Sequence, residues 1–182
     1  RQPEQLWTHS SSAALASQRL AQRSRLAEPD LALTAGLLHD IGLVAMSLAL
    51  GTKSRAVKDY SIREKMPFPL VEQKVLGFDH CQVGAGLAEA WGLPERIVEA
   101  IRWHHEPGKA KQYFGLAAVV HAGIQAADSL GYGLTRHGFR FRECRVAMKA
   151  VGFEVKAKAE LADTLKEDMK EYQRLLSERA AA

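Results

Sequence analysis

Apolar residues recur at intervals of three and four along almost the whole 182-residue chain. This spacing is typical of amphipathic helices, because it places apolar side chains on one face of a 3.6-residue turn. The nearest approach to strand-like alternation is GFRFRE at 138–143, which is short and flanked by helical patterns. We therefore predict an all-α fold, a bundle of about eight to ten helices. The predicted helices lie at about 3–23, 29–39, 41–50, 54–63, 69–77, 79–91, 94–105, 111–131, 142–151 and 155–179.

The composition changes near Gly152, after which the chain is highly charged. We expect a helical core at 1–152 and a C-terminal amphipathic helix at 153–182. That helix carries one apolar stripe with 3, 4, 3, 4 spacing, formed by Ala162, Leu165, Met169, Tyr172 and Leu176. The stripe can pack on the core or mediate dimerisation. Packing on the core is favoured, because fewer than three heptads is short for a coiled coil.

Histidines fall within the apolar stripes of several separate predicted helices, mostly near helix ends. The inward-facing set is His9, His39, His80, His104 and His105. A lone inward histidine is more often a hydrogen-bonded core residue than a ligand. Several of them on different helices, with Asp40 directly after His39, favour a shared His/Asp cluster instead.

Such a cluster has the chemistry of a metal site. Imidazole suits Zn, Fe, Ni or Mn, and a carboxylate shifts the preference toward harder cations. The interior of a helical bundle is a common place for one or two such ions, held by side chains from facing helices. Two ions there would supply Lewis-acid chemistry on a phosphate ester.

Charge, cysteines and hydropathy narrow the class of protein. A net charge of +4 and a pI near 9.1 are too weakly basic to indicate nucleic-acid binding. Cys81 and Cys144 form no CxxC pair, which indicates free thiols in a reducing cytoplasm. The longest apolar run, about 41–50, is predicted to be too short for a bilayer, and no signal peptide is visible. The chain begins RQPEQLW without Met, so we expect a fragment with domains upstream.

Three segments together closely resemble the HDOD family, the HD-related output domains of bacterial signalling proteins. They are AGLLHDIGLVAMSLAL, EQKVLGFDHCQVGAGLAEAWGLPERIVEAIRWHHEP and GLAAVVHAGIQAADSLGYG. The resemblance runs over about 6–133 and implies an HD-domain-like bundle, here the C-terminal HD-like part. It also implies partners among signalling proteins, or an attached receiver or sensor domain. The metal-binding pattern of the HD superfamily matches His9, His39, Asp40, His80, His104 and His105.

The sequence departs from that pattern in three places. The late aspartate of active HD enzymes aligns with Ile124, and Asp128 lies one turn later on a similar face. Leu43 stands where HD phosphodiesterases commonly carry lysine. The Gly-Tyr-Pro segment of the cyclic-di-GMP enzymes is replaced by EPGKAKQYFG. Because isoleucine cannot ligate a metal, a complete two-metal site is not expected. Two alternatives stay open: the cluster is a vestige of the metal site, or it binds a small ligand or one structural divalent metal (Mn, Fe, Ni or Zn).

Two functions from different classes follow. We predict a cytoplasmic, non-catalytic regulatory output domain that acts through contacts with other proteins. No catalytic residues are assigned, and a homodimer is one assembly that the sequence allows. The alternative is a metal-dependent phosphohydrolase acting on a nucleotide or cyclic dinucleotide. Binding to nucleic acid through the arginine-rich stretch at 135–149 is a minor third reading. No membrane association is predicted.

A few further residues carry expectations. Glu72 is predicted either to orient His80 or to be an ordinary surface glutamate. His121 is predicted to be a packed polar core residue, and Trp91 and Trp103 are predicted to be core aromatics. The glycines at 84 and 86 are expected to permit close helix contact near His80.

Overall fold

A computed structural model describes residues 2–134 and 143–180, and the described chain is all-α. The ten α-helices occupy α1 Gln2–Ser24, α2 Pro29–Leu38, α3 Ile41–Leu50, α4 Thr52–Glu64, α5 Phe68–Leu76, α6 His80–Ala90, α7 Glu95–Trp103, α8 Phe114–Ser129, α9 Arg145–Val151 and α10 Val155–Ala180. A 3₁₀ turn at Pro107–Lys109 precedes α8. The predicted all-α class is confirmed. The strand-like segment and most of the arginine-rich stretch lie at 135–142, outside the described residues.

The centre of the bundle is a close packing of α1, α2 and α8, which depends on small side chains. A Cβ atom on Gly123 of α8 would lie 2.2 Å from the Ser17 Oγ of α1. A Cβ on Gly36 of α2 would lie 2.8 Å from the Ala14 Cα of α1. Ser17 Oγ donates to the Ala13 carbonyl at 2.7 Å, so its hydroxyl is satisfied within α1. The three helices therefore lie nearly in backbone contact.

A second close contact joins the start of α3 to the start of α6. A Cβ on Gly42 would lie 2.0 Å from the His80 carbonyl oxygen, and a Cβ on Gly84 would lie 3.0 Å from Ile101 Cγ2. The expectation of close contact is confirmed for Gly84. It is wrong for Gly86, because a Cβ there would meet no described atom within 4 Å. The contact at Gly42 sets Asp40, at the start of α3, beside His80.

The final helix, α10, lies along α1. Leu165 and Met169 are buried, and Arg19 donates to both carboxylate oxygens of Asp168 at 2.9 and 2.7 Å. Leu175 and Leu176 are about half exposed, so the last turns of α10 are not covered within the described structure. The boundary at residue 152 and dimerisation through this helix stay predictions.

Two expectations about apolar residues need correction. Trp91 is 57% exposed at the end of α6, so it is not a core aromatic, because the helix ends there and its ring points outward. The segment Pro29–Leu50, with 22 residues and a mean hydropathy of 1.7, satisfies the length and hydropathy criteria for a membrane span, contrary to the sequence estimate. Buried core helices of soluble proteins satisfy the same criteria, and here two helices, interrupted at His39 and Asp40, form that segment.

Candidate metal centre

The six predicted ligands come together from four segments of the chain. α1 carries His9, the break between α2 and α3 carries His39 and Asp40, and the first residue of α6 is His80. His104 and His105 directly follow α7. All except the half-buried His105 are at most 5% exposed. The apolar spacing predicted that these histidines face inward, and their low exposure agrees with that prediction.

Asp40 lies at the middle of this cluster and links two groups of donors. Its Oδ2 is 3.2 Å from His39 Nε2 and 3.6 Å from His9 Nε2. Its Oδ1 is 3.4 Å from His80 Nε2 and 3.8 Å from His104 Nε2. One carboxylate therefore faces four imidazole nitrogens, two on each oxygen.

Hydrogen bonds on the outer side of the rings fix which nitrogen faces inward. The Nδ1 atoms of His9, His39 and His104 contact the carbonyl oxygens of Tyr132, Gly36 and Ile101 at 3.1, 2.7 and 2.7 Å. Since a carbonyl oxygen only accepts, each Nδ1 must carry the hydrogen. In the neutral rings the Nε2 lone pairs then point at one another and at Asp40.

The close approach of the inner nitrogens favours a proton or a metal ion between them. His9 Nε2 and His39 Nε2 are only 3.2 Å apart, and two lone pairs at that distance repel unless a proton or a metal ion lies between the groups. An Nδ1–H held by a backbone carbonyl or carboxylate, with Nε2 free to coordinate, is the usual arrangement of metal-binding histidine. The donor set therefore fits a divalent metal.

The charges at the centre divide the titrating groups into two sets. Burial alone would raise the pKa of Asp40, but the charge and hydrogen bond of His39, with His80 and His9, hold it well below its usual range. Burial likewise lowers the pKa of His39, but Asp40 outweighs it and the net pKa is raised. Burial and the neighbouring histidines lower the pKa of His104 and His105 well below the ordinary value. His104 and His105 are therefore held neutral, as a metal ligand must be.

Glu72 is a buried partner of His80 rather than a surface residue. It is 1% exposed, and its Oε2 accepts from the His80 backbone amide at 3.0 Å and from His80 Nδ1 at 2.6 Å. Burial lowers the pKa of His80, but the neighbouring Cys81 sulfur and the Glu72 carboxylate raise it well above its ordinary value. A carboxylate on the outer nitrogen orients the ring and makes its inner nitrogen a stronger donor.

We expect Glu72→Gln to weaken divalent-metal binding about 10- to 100-fold, because the outer partner of His80 loses its charge. Isothermal titration of metal-stripped protein with Zn²⁺ or Mn²⁺ measures this directly. The matched control is Glu89→Gln, since Glu89 is a surface residue paired with Arg102. Equal affinities for the Glu72 variant and the wild type would show that Glu72 does not support the site.

The departures from the HD pattern have distinct positions. Ile124 is buried in α8 with the apolar core, so it offers no donor. The Asp128 carboxylate Oδ1 is 3.8 Å from His9 Nδ1, the nitrogen that faces away from Asp40. Asp128 thus lies at the outer side of His9, where it can orient the ring but does not replace the missing ligand.

His121 is the packed core residue that the sequence predicts. Its Nδ1 donates to the His104 carbonyl at 2.8 Å, and its Nε2 accepts from the Cys144 amide at 3.0 Å. Both ring nitrogens are occupied, so His121 is not a ligand. Its bond to the His104 backbone holds the turn after α7 in place.

The sequence analysis missed Cys81. Its sulfur is 3.6 Å from His80 Nε2 and 3.9 Å from His104 Nε2. Two groups of potential donors result, His80 with Cys81, His104 and His105, and His9 with His39 and Asp40, each with its donor atoms within 4.8 Å of one another. The available signal was position, because the first two residues of α6 can both reach the centre from the end of the helix.

A cavity of about 360 Å³ opens beside the second group. Cys81 and His105 line its inner side, and Arg102, Trp103 and Lys109 contribute to its outer side. Lys109 lies over the Trp103 ring at 5.6 Å from the centroid, so this partly buried aromatic belongs to the cavity wall rather than to the interior core. The cavity thus borders two donor residues of the second group, Cys81 and His105.

The chain has detectable relatives in sequence and in structure. The HDOD domain family model matches residues 1–107. The chain is 29% identical over 86 residues to an uncharacterized protein of Treponema pallidum (strain Nichols). The aligned residues make up 47% of this chain and 17% of that protein. The chain therefore spans only a small part of that relative.

Solved structures with the same fold include proteins from three different bacteria. A candidate signal transduction protein of Marinobacter aquaeolei VT8 has a TM-score of 0.79 at 21% identity, over 93% of this chain and 38% of that one. An HDOD domain protein of unknown function from Geobacter sulfurreducens has a TM-score of 0.71 at 24% identity, over 91% of this chain and 59% of that one. A candidate phosphohydrolase of Shewanella amazonensis SB2B has a TM-score of 0.69 at 23% identity, over 88% of this chain and 58% of that one. These likenesses show the fold, and since the family model covers more than half of the sequence, the chain belongs to the HDOD family.

Proposed function

We propose that this chain is a non-catalytic output domain of a bacterial signalling protein, with a divalent metal held in its His/Asp centre. In this proposal the domain acts through contacts with other signalling proteins or with an attached receiver or sensor domain. The metal stabilises the junction of α1, α2, α6 and α7. Membership of the HDOD family supports the signalling role.

The burial of the centre is the observation that carries the non-catalytic part of the proposal. His9, His39, Asp40, His80 and His104 are between 0% and 5% exposed. A phosphohydrolase must bring the phosphorus of its substrate against the metal centre, where the ion polarises the phosphoryl oxygens. Here four rings lie within 3.2–3.8 Å of the Asp40 carboxylate. Leu43 and Ile124 supply neither cation nor ligand.

The second candidate function is a metal-dependent phosphohydrolase acting on a nucleotide or cyclic dinucleotide. The 360 Å³ cavity beside His105 favours it, because Arg102 and Lys109 lie at its wall. Both cations are already paired, however, Arg102 with Glu89 and Lys109 with Glu106, at 2.7 and 2.8 Å. An anionic substrate would have to compete with those carboxylates, so we favour the regulatory role.

A hydrolysis assay separates the two candidates. Protein reconstituted with Mn²⁺, Fe²⁺ or Zn²⁺ is incubated with bis-p-nitrophenyl phosphate and with cyclic di-GMP. We expect no product above that of the same metal without protein. Turnover by the wild type that disappears in Asp40→Ala would contradict the proposal and establish the phosphohydrolase instead.

A further inference from the structure

We infer that Cys81 is a metal ligand and that, with His80, His104 and His105, it forms a four-coordinate site for Zn²⁺. This inference rests on the proposed metal centre and specifies its chemistry. The HD pattern of His and Asp does not contain this sulfur. The site would make the second donor group of the centre a closed, structural one.

The spacing of the donor atoms carries the inference. Zinc bonds of about 2.05 Å to nitrogen and about 2.3 Å to sulfur, at tetrahedral angles, place neighbouring nitrogens about 3.3 Å apart and nitrogen about 3.6 Å from sulfur. His80 Nε2 lies 3.3 Å from His105 Nε2 and 3.6 Å from Cys81 Sγ. His104 Nε2 lies 3.9 Å from the sulfur. Two of these three distances match the edges of such a tetrahedron, the third exceeds its edge by about 0.3 Å, and all four donor atoms lie within 4.8 Å of one another.

The surroundings of Cys81 suit a thiolate ligand. Cys81 is the second residue of α6, where the unpaired amides of the helix start favour negative charge. The thiolate is the form of cysteine that ligates a metal, so binding of the ion releases the thiol proton. Cys81 and His105 both line the adjacent cavity, so two of the four donors lie at its wall.

A thiolate changes which metal the centre should prefer. Sulfur selects softer ions such as Zn²⁺ over Mn²⁺ and Mg²⁺, which carboxylate-rich sites hold. Four protein ligands also leave no coordination position open, which is typical of structural zinc rather than catalytic zinc. A CysHis₃ site therefore agrees with a regulatory domain that does not turn over a substrate.

The test uses the full chain, stripped of metal and loaded with Co²⁺ or Zn²⁺. We expect the Co²⁺ protein to show a near-ultraviolet sulfur-to-cobalt charge-transfer band, and X-ray absorption of the Zn²⁺ protein to show one sulfur at about 2.3 Å. Cys81→Ser should lose both signals. Its Zn²⁺ affinity should fall by more than the roughly 10- to 100-fold expected for losing only an outer partner.

The matched control is Cys144→Ser, because Cys144 is the second of the two cysteines in the sequence and should keep both signals. The wild-type spectra test the ligand even if Cys81→Ser does not fold. Stoichiometric metal bound by nitrogen and oxygen alone would overturn the role of Cys81 while leaving the proposed metal centre intact. Failure of the wild type to bind any of Zn²⁺, Co²⁺, Mn²⁺ or Fe²⁺ would overturn both.

Discussion

Replacing Gly42 by alanine is expected to destabilise the fold by about 1–3 kcal/mol and to disrupt the metal centre, despite the better helix propensity of alanine. The added Cβ would lie 2.0 Å from the His80 carbonyl and 2.8 Å from the Gly84 amide nitrogen. Both atoms belong to the backbone of α6, so relief requires that α3 and α6 separate. Asp40 and His80 lie on opposite sides of this contact, and their separation would pull apart the carboxylate and the imidazole.

Gly86→Ala is the matched control, since it lies on the same helix as Gly84 and a Cβ there meets no described atom within 4 Å. It should stabilise the protein by about 0.5–1 kcal/mol, the usual gain of alanine over glycine within a helix. Urea denaturation measures both variants, and metal titration of each folded protein measures the centre. Unchanged stability and metal affinity in Gly42→Ala would show that the contact of α3 with α6 is not rigid.

The two glycines also show where sequence reasoning reaches its limit. Periodicity predicted each helix, because it reflects only the local face that must be buried. It also placed Gly84 and Gly86 together at a close contact, which is correct for one and wrong for the other. The angle at which two helices cross decides which of two nearby glycines contacts the neighbouring helix. That angle is not encoded in the sequence of either helix alone. The prediction that Trp91 is a core aromatic was wrong for a related reason. Trp91 lies at the end of α6, where no described neighbour covers its ring.

For the candidate site, the sequence indicated which histidines face inward but not what they would meet. His9, His39, His80, His104 and His105 follow from the stripes alone. The bridging position of Asp40 depends on the break between α2 and α3 and on the packing at Gly42. Cys81 was overlooked because it lies off the apolar stripe of α6. At the first turn of a helix, however, side chains on neighbouring faces can all reach across the helix end.

Asp40→Asn is expected to lower the retained metal well below the near-stoichiometric content of the wild type, because the centre loses its buried negative charge even though Asp40 is not one of the four inferred zinc ligands. Among the described residues, Asp40 is the carboxylate that contacts both donor groups, through Oδ2 to His39 and Oδ1 to His80. The amide keeps the shape of the side chain but removes the negative charge that offsets the cation. Mass spectrometry of protein purified without an affinity metal column measures the retained ion.

Two further aspartates make the test specific. Asp163→Asn should retain wild-type metal, because the Asp163 side chain is 85% exposed on α10. Asp128→Asn should show an intermediate loss, about 10- to 100-fold in affinity, because Asp128 faces the outer nitrogen of His9. If Asp40→Asn folded and kept its metal while Asp128→Asn lost it, the ion would lie beyond His9 toward α8. The convergence of four imidazoles on Asp40 would then be a feature of core packing, with protons on His39 and His80 supplying the positive charge that the buried carboxylate needs.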